Sequence, residues 1–424
     1  DRIVARGMVG QERVNWLMLQ RVEPARWQIL PMGAGLSEGY LGVSVFLAQL
    51  ATLTGVSRYA EVARRAVQPL PRLLAVLAER ADLVAAVGCG ARGGCAGIGY
   101  GLARVATLLD DRECATMAGT AVRLAGDAAA AGAAPGWSDG LAGCLAATLA
   151  VRSELGLAGV DDLTTGYAEV LADLVLDTGG RCLVDGVSGG WDFAAGSAGV
   201  GTALLRYATT GGPAVGGAER SERLLAAGRL AVLDALTQAG LGVERVAGGV
   251  GPSGHRLTAA VDAHPDEGWW HGTAGLLAAA TLLAAADPGG GVAEMVGAVT
   301  TTMLCRPGRE NLSLEGGELG TLEALKLAAG GRRGGRVGRG LRRRTGVVLD
   351  AVSRRVPCCG TPQGVATPGL GSGLAGIGYG LLRLAFPDRV PSVLLLEPTH
   401  RVVTPSPVTP VVGSSTLHAC SSTI

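Results

Sequence analysis

The sequence predicts an all-α protein, an α/α toroid (barrel) of about seven helical hairpins, and three observations carry that expectation. A Gly-x-x-Gly followed by an apolar helical run recurs seven times along the 424 residues. Successive first glycines lie 55, 46, 56, 76, 45 and 56 residues apart, so each interval has room for a second helix. No strand-like alternation of apolar and polar residues competes with the helical period. A closed ring shields inner helices behind outer ones and needs no capping repeats, whereas an open superhelix, the competing arrangement, does.

Taken in order, the copies are "GYLGVSVFLAQLA" from Gly39, "GCAGIGYGLARVA" from Gly94 and "GLAGCLAATLA" from Gly140. Then come "GSAGVGTALLRYA" from Gly196 and "GTAGLLAAATLLA" from Gly272. "GELGTLEALKLA" from Gly317 and "GLAGIGYGLLRLA" from Gly373 complete the series. The glycines cost helix propensity but let a helix start lie close to its neighbours. Between the copies run candidate outer helices such as "RYAEVARRAVQPLPRLLAVLAE" (58–79) and "ERLLAAGRLAVLDALTQAG" (222–240).

Composition sets further bounds. Hydrophobic residues make up 48% but aromatics only 4%, so a large core must be built from closely packed Ala, Leu and Val. A net charge of +1 gives no general case for nucleic acid or an anionic membrane. The nine cysteines form no CxxC pair and no dense framework, which favours a reduced, cytoplasmic setting over a secreted disulfide scaffold. The start "DRIVARGMVGQERVNW" lacks the apolar core of a signal peptide, and "LLAAATLLAAA" (276–286) is too short to span a bilayer.

Residues 1–29 read as a lead-in compatible with the remnant of a preceding domain, 30–397 as the toroid, and 398–424 as a Pro/Ser/Thr-rich disordered tail. The Gly/Pro-rich insertion 247–268 is expected to form loops near one ring face. "GGRRGGRVGRGLRRRTG" (330–346) is expected to be a solvated loop, with contact to an acidic peptide as the alternative.

Helix N-termini around a central cavity favour ligand contacts. Immediately before the first glycines stand Glu38, Gly93, Asp139, Ala195, His271, Gly316 and Ser372. One position earlier stand Ser37, Arg92, Ser138, Ala194, Trp270, Glu315 and Gly371. From these columns come His271, Glu315 and Asp139 as candidate catalytic groups. Trp269, Trp270, Glu38, Arg92, Ala195 and Gly316 are candidate substrate contacts. Five of them have an ordinary structural counterpart. His271 could be a hydrogen-bonded wall residue, the tryptophans core, Glu315 a solvated helix-start acid, and Asp139 an N-cap.

The seven hairpins, "WWHGTAG" (269–275) and above all "TPGLGSGLAGIGYGLLRLAFPDRVPSVLLLE" (367–397) resemble the LanC-like cyclase domain of class II lanthipeptide synthetases (LanM type). The resemblance covers roughly residues 30–397. It implies a toroid acting on a ribosomal precursor peptide whose Ser/Thr residues have been dehydrated. Cysteine thiols add to those residues to give thioether rings, with zinc lowering the thiol pKa. A histidine and an aspartate serve protonation of the enolate in that family.

Carried over position by position, the family's functional residues are missing. Trp270 stands at the first cysteine ligand, and Glu315 and Gly316 stand at the Cys-His pair. Ala195 stands at the catalytic histidine and Gly136 at the catalytic aspartate. An indole, a carboxylate and a bare backbone do not make a soft Cys/His zinc site, so no metal or cofactor is expected. A rebuilt site from His271 and Glu315 with Asp139 or Glu267 is chemically conceivable but lacks a chelating pair. Adjacent Cys358 and Cys359 read as structural, unbridged residues.

The leading expectation is a zinc-independent LanC-like protein of lanthipeptide-type biosynthesis. It would bind a dehydrated precursor with its leader and promote thioether closure by proximity and a base. The alternative is a catalytically silent peptide-binding toroid supporting a dehydratase, decarboxylase or another cyclase. A different toroid enzyme, a glycosidase using Asp139 with Glu315 or Glu38 or a terpene cyclase, ranks third: no Asp-rich diphosphate motif appears for the latter, and the C-terminal resemblance counts against both.

Overall fold

The computed structural model describes residues 1–399 apart from 12, 24–25, 185–186, 189, 211–216, 242, 246–254, 258–266, 332–333 and 355. It opens with a short helix α1 (Arg2–Ala5) and two antiparallel hairpins. One pairs β1 (Met8–Val9) with β2 (Val14–Asn15), the other β3 (Leu17–Glu23) with β4 (Arg26–Pro31). The ring then begins with inner helix α2 (Tyr40–Thr54), backed by α3 (Ser57–Val67) and followed by the short outer helices α4 (Leu70–Glu79) and α5 (Ala81–Val87). Inner and outer helices alternate thereafter. The pairs are α6 (Cys95–Leu109) with α7 (Arg112–Ala130), and α8 (Leu141–Leu155) with α9 (Asp161–Asp177). A small hairpin, β5 (Leu183–Val184) and β6 (Val187–Ser188), precedes α10 (Ser197–Thr210) and α11 (Gly217–Gln238). A second hairpin, β7 (Val243–Arg245) and β8 (His255–Leu257), precedes α12 (Thr273–Ala286) and α13 (Val292–Cys305). The last elements are α14 (Glu318–Ala329), α15 (Gly335–Arg354) and inner helix α16 (Leu374–Ala385).

The ring is closed. Each inner helix packs on the next, from α2 through α6, α8, α10, α12, α14 and α16, and α16 returns to α2. This is the predicted toroid rather than the open superhelix, with one refinement. Six inner helices have outer partners, and among the described residues α16 has none. Five of the six, α6 through α14, each have one outer partner; α2 is backed by α3, while the short helices α4 and α5 pack on α7.

The glycine repeats explain the inner ring. In every copy a Cβ on the second glycine would collide with the carbonyl oxygen six residues earlier. That Cβ would stand only 1.9 Å from the Leu36 oxygen at Gly42, 1.8 Å from the Trp137 oxygen at Gly143 and 1.8 Å from the Leu370 oxygen at Gly376. The approach folds each loop tightly over its helix start, so the preceding residues point into the ring. The opening turns of α2, α6, α8, α10, α12 and α14 are buried on every side, as suits their small and apolar residues, and the one charge among them, Glu318 of α14, is paired with Arg344.

The far end of the ring is stopped by the chain itself. Val393, Leu394, Leu395 and Leu396, the core of "VPSVLLLE", are buried inside it. Tyr100 and Arg206 donate to the Glu397 and Leu395 carbonyls, and Tyr379 donates to that of Pro391. Arg104 pairs with Glu154 at 2.8 Å and reaches Gln49 and Thr399. Thr399 therefore has a fixed place; residues 400–424 of the expected tail lie outside the described residues, as does most of the 247–268 insertion.

From Gly335 onward the Arg-rich stretch is a helix, correcting the expected loop there. Val337, Leu341, Arg344 and Val348 fall on one helical face, and the two last are buried. Arg344 forks onto both oxygens of Glu318 at 2.6 Å and donates to the Met303 carbonyl, which docks α15 on α13 and α14. The lead-in also folds onto the ring. Trp16 is buried, with its indole on the Ile3 carbonyl, and Arg6 donates to the Ala366 carbonyl.

Candidate functional site

The residues two before each first glycine form a continuous girdle of backbone hydrogen bonds. Ser37 N donates to Arg92 O, Arg92 N to Ser138 O and Ser138 N to Ala194 O. Ala194 N donates to Trp270 O, Trp270 N to Glu315 O and Glu315 N to Gly371 O. Gly371 N donates to Ser37 O at 2.8 Å and completes the circle. One layer deeper, Leu36, Ala91, Trp137, Phe193, Trp269, Leu314 and Leu370 are all buried and make an apolar floor. Phe193 stands at its centre of aromatic packing, 4.9 Å from Trp137 and 5.5 Å from Trp269. Only a void of about 30 Å³ separates floor from C-terminal plug.

Above the girdle opens a cavity of about 740 Å³. Its wall includes Glu38, Arg92, Asp139, Trp270, His271, Glu315 and Gly316, seven of the nine candidates. The β3–β4 hairpin overhangs it through Leu19, Arg21 and Trp27, so part of the lead-in belongs to the site. Two candidates are corrected. Trp269 is fully buried in the floor, because each residue of the loop alternates between floor and girdle and Trp269 falls one step too deep. Ala195 is exposed outside the cavity wall, its N–H engaged by Asp192.

Glu315 is held rather than free. Its carboxylate is 10% exposed and takes Arg92 through two contacts, Nη2 to Oε2 at 3.0 Å and Nε to Oε1 at 3.3 Å. Ser37 Oγ also donates to Oε1. Gly371 makes room for the cluster, since a Cβ there would stand 2.3 Å from Ser37 Oγ and 2.4 Å from the Glu315 carboxyl carbon. Beside it, Glu38 Oε1 accepts the Ser372 N–H at 2.9 Å. Burial, then the neighbouring Glu315 charge, raise the Glu38 carboxyl to a pKa of about 7 against the pull of Ser372 and Arg92. Asp139 is exposed on the rim; Gly140, not Asp139, caps α8, and no side chain closes that cap.

His271 has a partner that sequence reading missed. Its Nδ1 lies 2.8 Å from Asp192 Oδ2, and the other oxygen of Asp192 accepts the N–H groups of Ala195 and Gly196 at the start of α10. Burial pushes the Asp192 carboxyl upward, but the His271 contact and those two N–H groups hold it below the ordinary carboxylate range. A carboxylate on Nδ1 selects the tautomer with the proton there and leaves basicity on Nε2. Asp192 is 79 residues from His271 and four before its own glycine, outside both columns, so no spacing rule exposed it.

The zinc that the resemblance implies does not fit. Trp270 offers an indole N–H, a donor that makes no hydrogen bond among the described residues. Glu315 is bound by Arg92 and Ser37, and Gly316 has no side chain. Glu267, considered for a rebuilt site, faces outward to Arg306 at 3.1 Å and Arg344. Among the described residues no three His, Cys, Asp or Glu side chains gather as metal ligands.

No family model matches the chain, and no curated protein matches it. Among solved structures it is similar to nisin cyclase, with a TM-score of 0.58 at 15% identity. The match covers 86% of this chain and 92% of that one. At that identity the likeness establishes the shared helical toroid. No helix among the described residues is long and apolar enough to cross a membrane.

Proposed function

We propose that the chain promotes thioether ring formation in a dehydrated ribosomal peptide without a metal, as a LanC-like protein of lanthipeptide biosynthesis. The observation that carries the reading is the His271–Asp192 couple on a cavity whose metal positions are taken by Trp270 and the Arg92–Glu315 pair. The fold shared with nisin cyclase supports a peptide substrate of this kind.

In this reading His271 Nε2 accepts the cysteine thiol proton while Asp192 steadies the resulting imidazolium. The thiolate adds to the β-carbon of dehydroalanine or dehydrobutyrine, forming the C–S bond and moving the π electrons onto the carbonyl oxygen as an enolate. Glu38, on the same cavity wall and with its pKa near neutrality, donates the proton that the α-carbon takes up, and His271 then restores that proton to it through solvent. Trp270 gives the peptide an apolar wall. Holding thiol and alkene together supplies acceleration that the missing metal does not. A dehydratase, as an attached domain or a separate enzyme, must provide the alkene. The eight described cysteines are all free, which supports a reducing, cytoplasmic setting.

A second reading, a silent toroid that only holds the precursor, is favoured by the engagement of Glu315, which leaves it unsuited to act as a base. Mass spectrometry of a dehydrated precursor after thiol alkylation separates the two. His271→Ala and Asp192→Asn are expected to slow ring closure by about 10²–10⁴-fold. Native rates in both variants would remove the couple from the reaction, and tight binding with no closure by the native chain would establish the silent toroid.

A further inference from the structure

The chain's net charge of +1 conceals an uneven distribution. Residues 330–346 hold seven arginines and no acidic residue, which leaves the rest of the chain net negative. Helix α15 sorts the described members of that set onto two faces. Arg344 is buried against Glu318, fixing the helix to the ring. Arg336, Arg339 and Arg343 are exposed and border a groove of about 240 Å³ between α13 and α15, floored by Leu304 and Val337 with Cys305 at its edge. Among the described residues neither Arg336 nor Arg339 has a carboxylate partner, while Arg343 anchors itself on the Leu304 carbonyl.

We infer that this groove is a docking site for an acidic peptide segment in extended conformation. Guanidinium groups pair with carboxylates in a fixed fork, and three lie along one helical face. At 1.5 Å per residue, positions 336 to 343 span about 10 Å of helix, which matches about three residues of extended chain. The narrow apolar floor suits a single strand of polypeptide, and no aromatic ring lines the groove for base stacking. The inference stands apart from the chemistry of the central cavity, since binding here requires no reaction there.

The test uses the full chain and a fluorescein-labelled hexaglutamate peptide, followed by anisotropy at low and high salt. Saturable binding that weakens with salt is expected. Arg336→Glu with Arg339→Glu should weaken it at least about tenfold. A variant-free readout is alkylation of Cys305, quantified by peptide mass spectrometry, which the bound probe should slow several-fold. Absence of binding, undiminished binding by the double variant, or unchanged alkylation of Cys305 each overturns the inference. Tighter binding of an oligouridine that protects Cys305 equally would replace it with a nucleic-acid surface.

Discussion

At the two ends of one ring, the same pair of residue types is used in opposite ways. At the plugged end Arg104 and Glu154 are 0% and 1% exposed and closed in by Gln49 and Thr399. At the cavity end Arg92 is 39% exposed over a Glu315 that is 10% exposed. Taking both charges wholly out of water makes the first pair a commitment to one arrangement, because either partner alone would be stranded. The second pair keeps one face in water and can exchange partners with a ligand at modest cost. Burial, not residue type, separates the sealed end of this toroid from the end that stays open to a ligand.

The contrast can be broken most forcefully at the plug. Glu154→Ala strands Arg104 and is expected to cost about 3–5 kcal/mol in urea unfolding. A loss under about 1 kcal/mol would mean that water reaches this end as it reaches the other. A smaller effect is expected from Gly371→Ala at the cavity end. Its methyl group must displace Ser37 or Glu315, for about 1–3 kcal/mol, and loss of ring closure activity should exceed what that destabilisation explains. Activity unchanged beside a clear stability loss would make the Arg92–Glu315 cluster mere packing.

The smallest effect is a slope. Glu38 has a folded pKa of about 7 against an ordinary 4.5, so the folded state holds its proton more tightly than the unfolded chain. The stability this contributes is complete below about pH 4.5 and is lost as pH rises through about 7. Glu38→Gln removes the titration, so the native chain should fall progressively behind the variant in thermal melts taken from pH 5 to 8. Parallel curves would place Glu38 in contact with bulk water.

What could be read ahead of the structure was whatever repeats. The glycine turns announced the toroid, and counting two residues back from each named the whole girdle. Single, non-repeating contacts were hidden. Asp192 works because a loop before α10 meets a loop before α12, a meeting that no local pattern encodes. The helix α15 was masked by its glycines, although the 337, 341, 344, 348 stripe was present; an arginine stands at a core position there, and composition alone reads it as solvated. Trp269 and Trp270 differ by one register step, enough to send one indole to the floor and the other to the wall.

The girdle has a consequence for how such a ring can change. Its seven links run from amide to carbonyl, so no side chain takes part in closing the circle. Serine, arginine, alanine, tryptophan, glutamate and glycine all hold the same post. The scaffold is therefore indifferent to what projects into the cavity, and a metal-binding set could give way to an ion pair and an indole without any link of the circle being remade. Architecture and reactivity are here separately editable, one written in the main chain and the other in the side chains it displays.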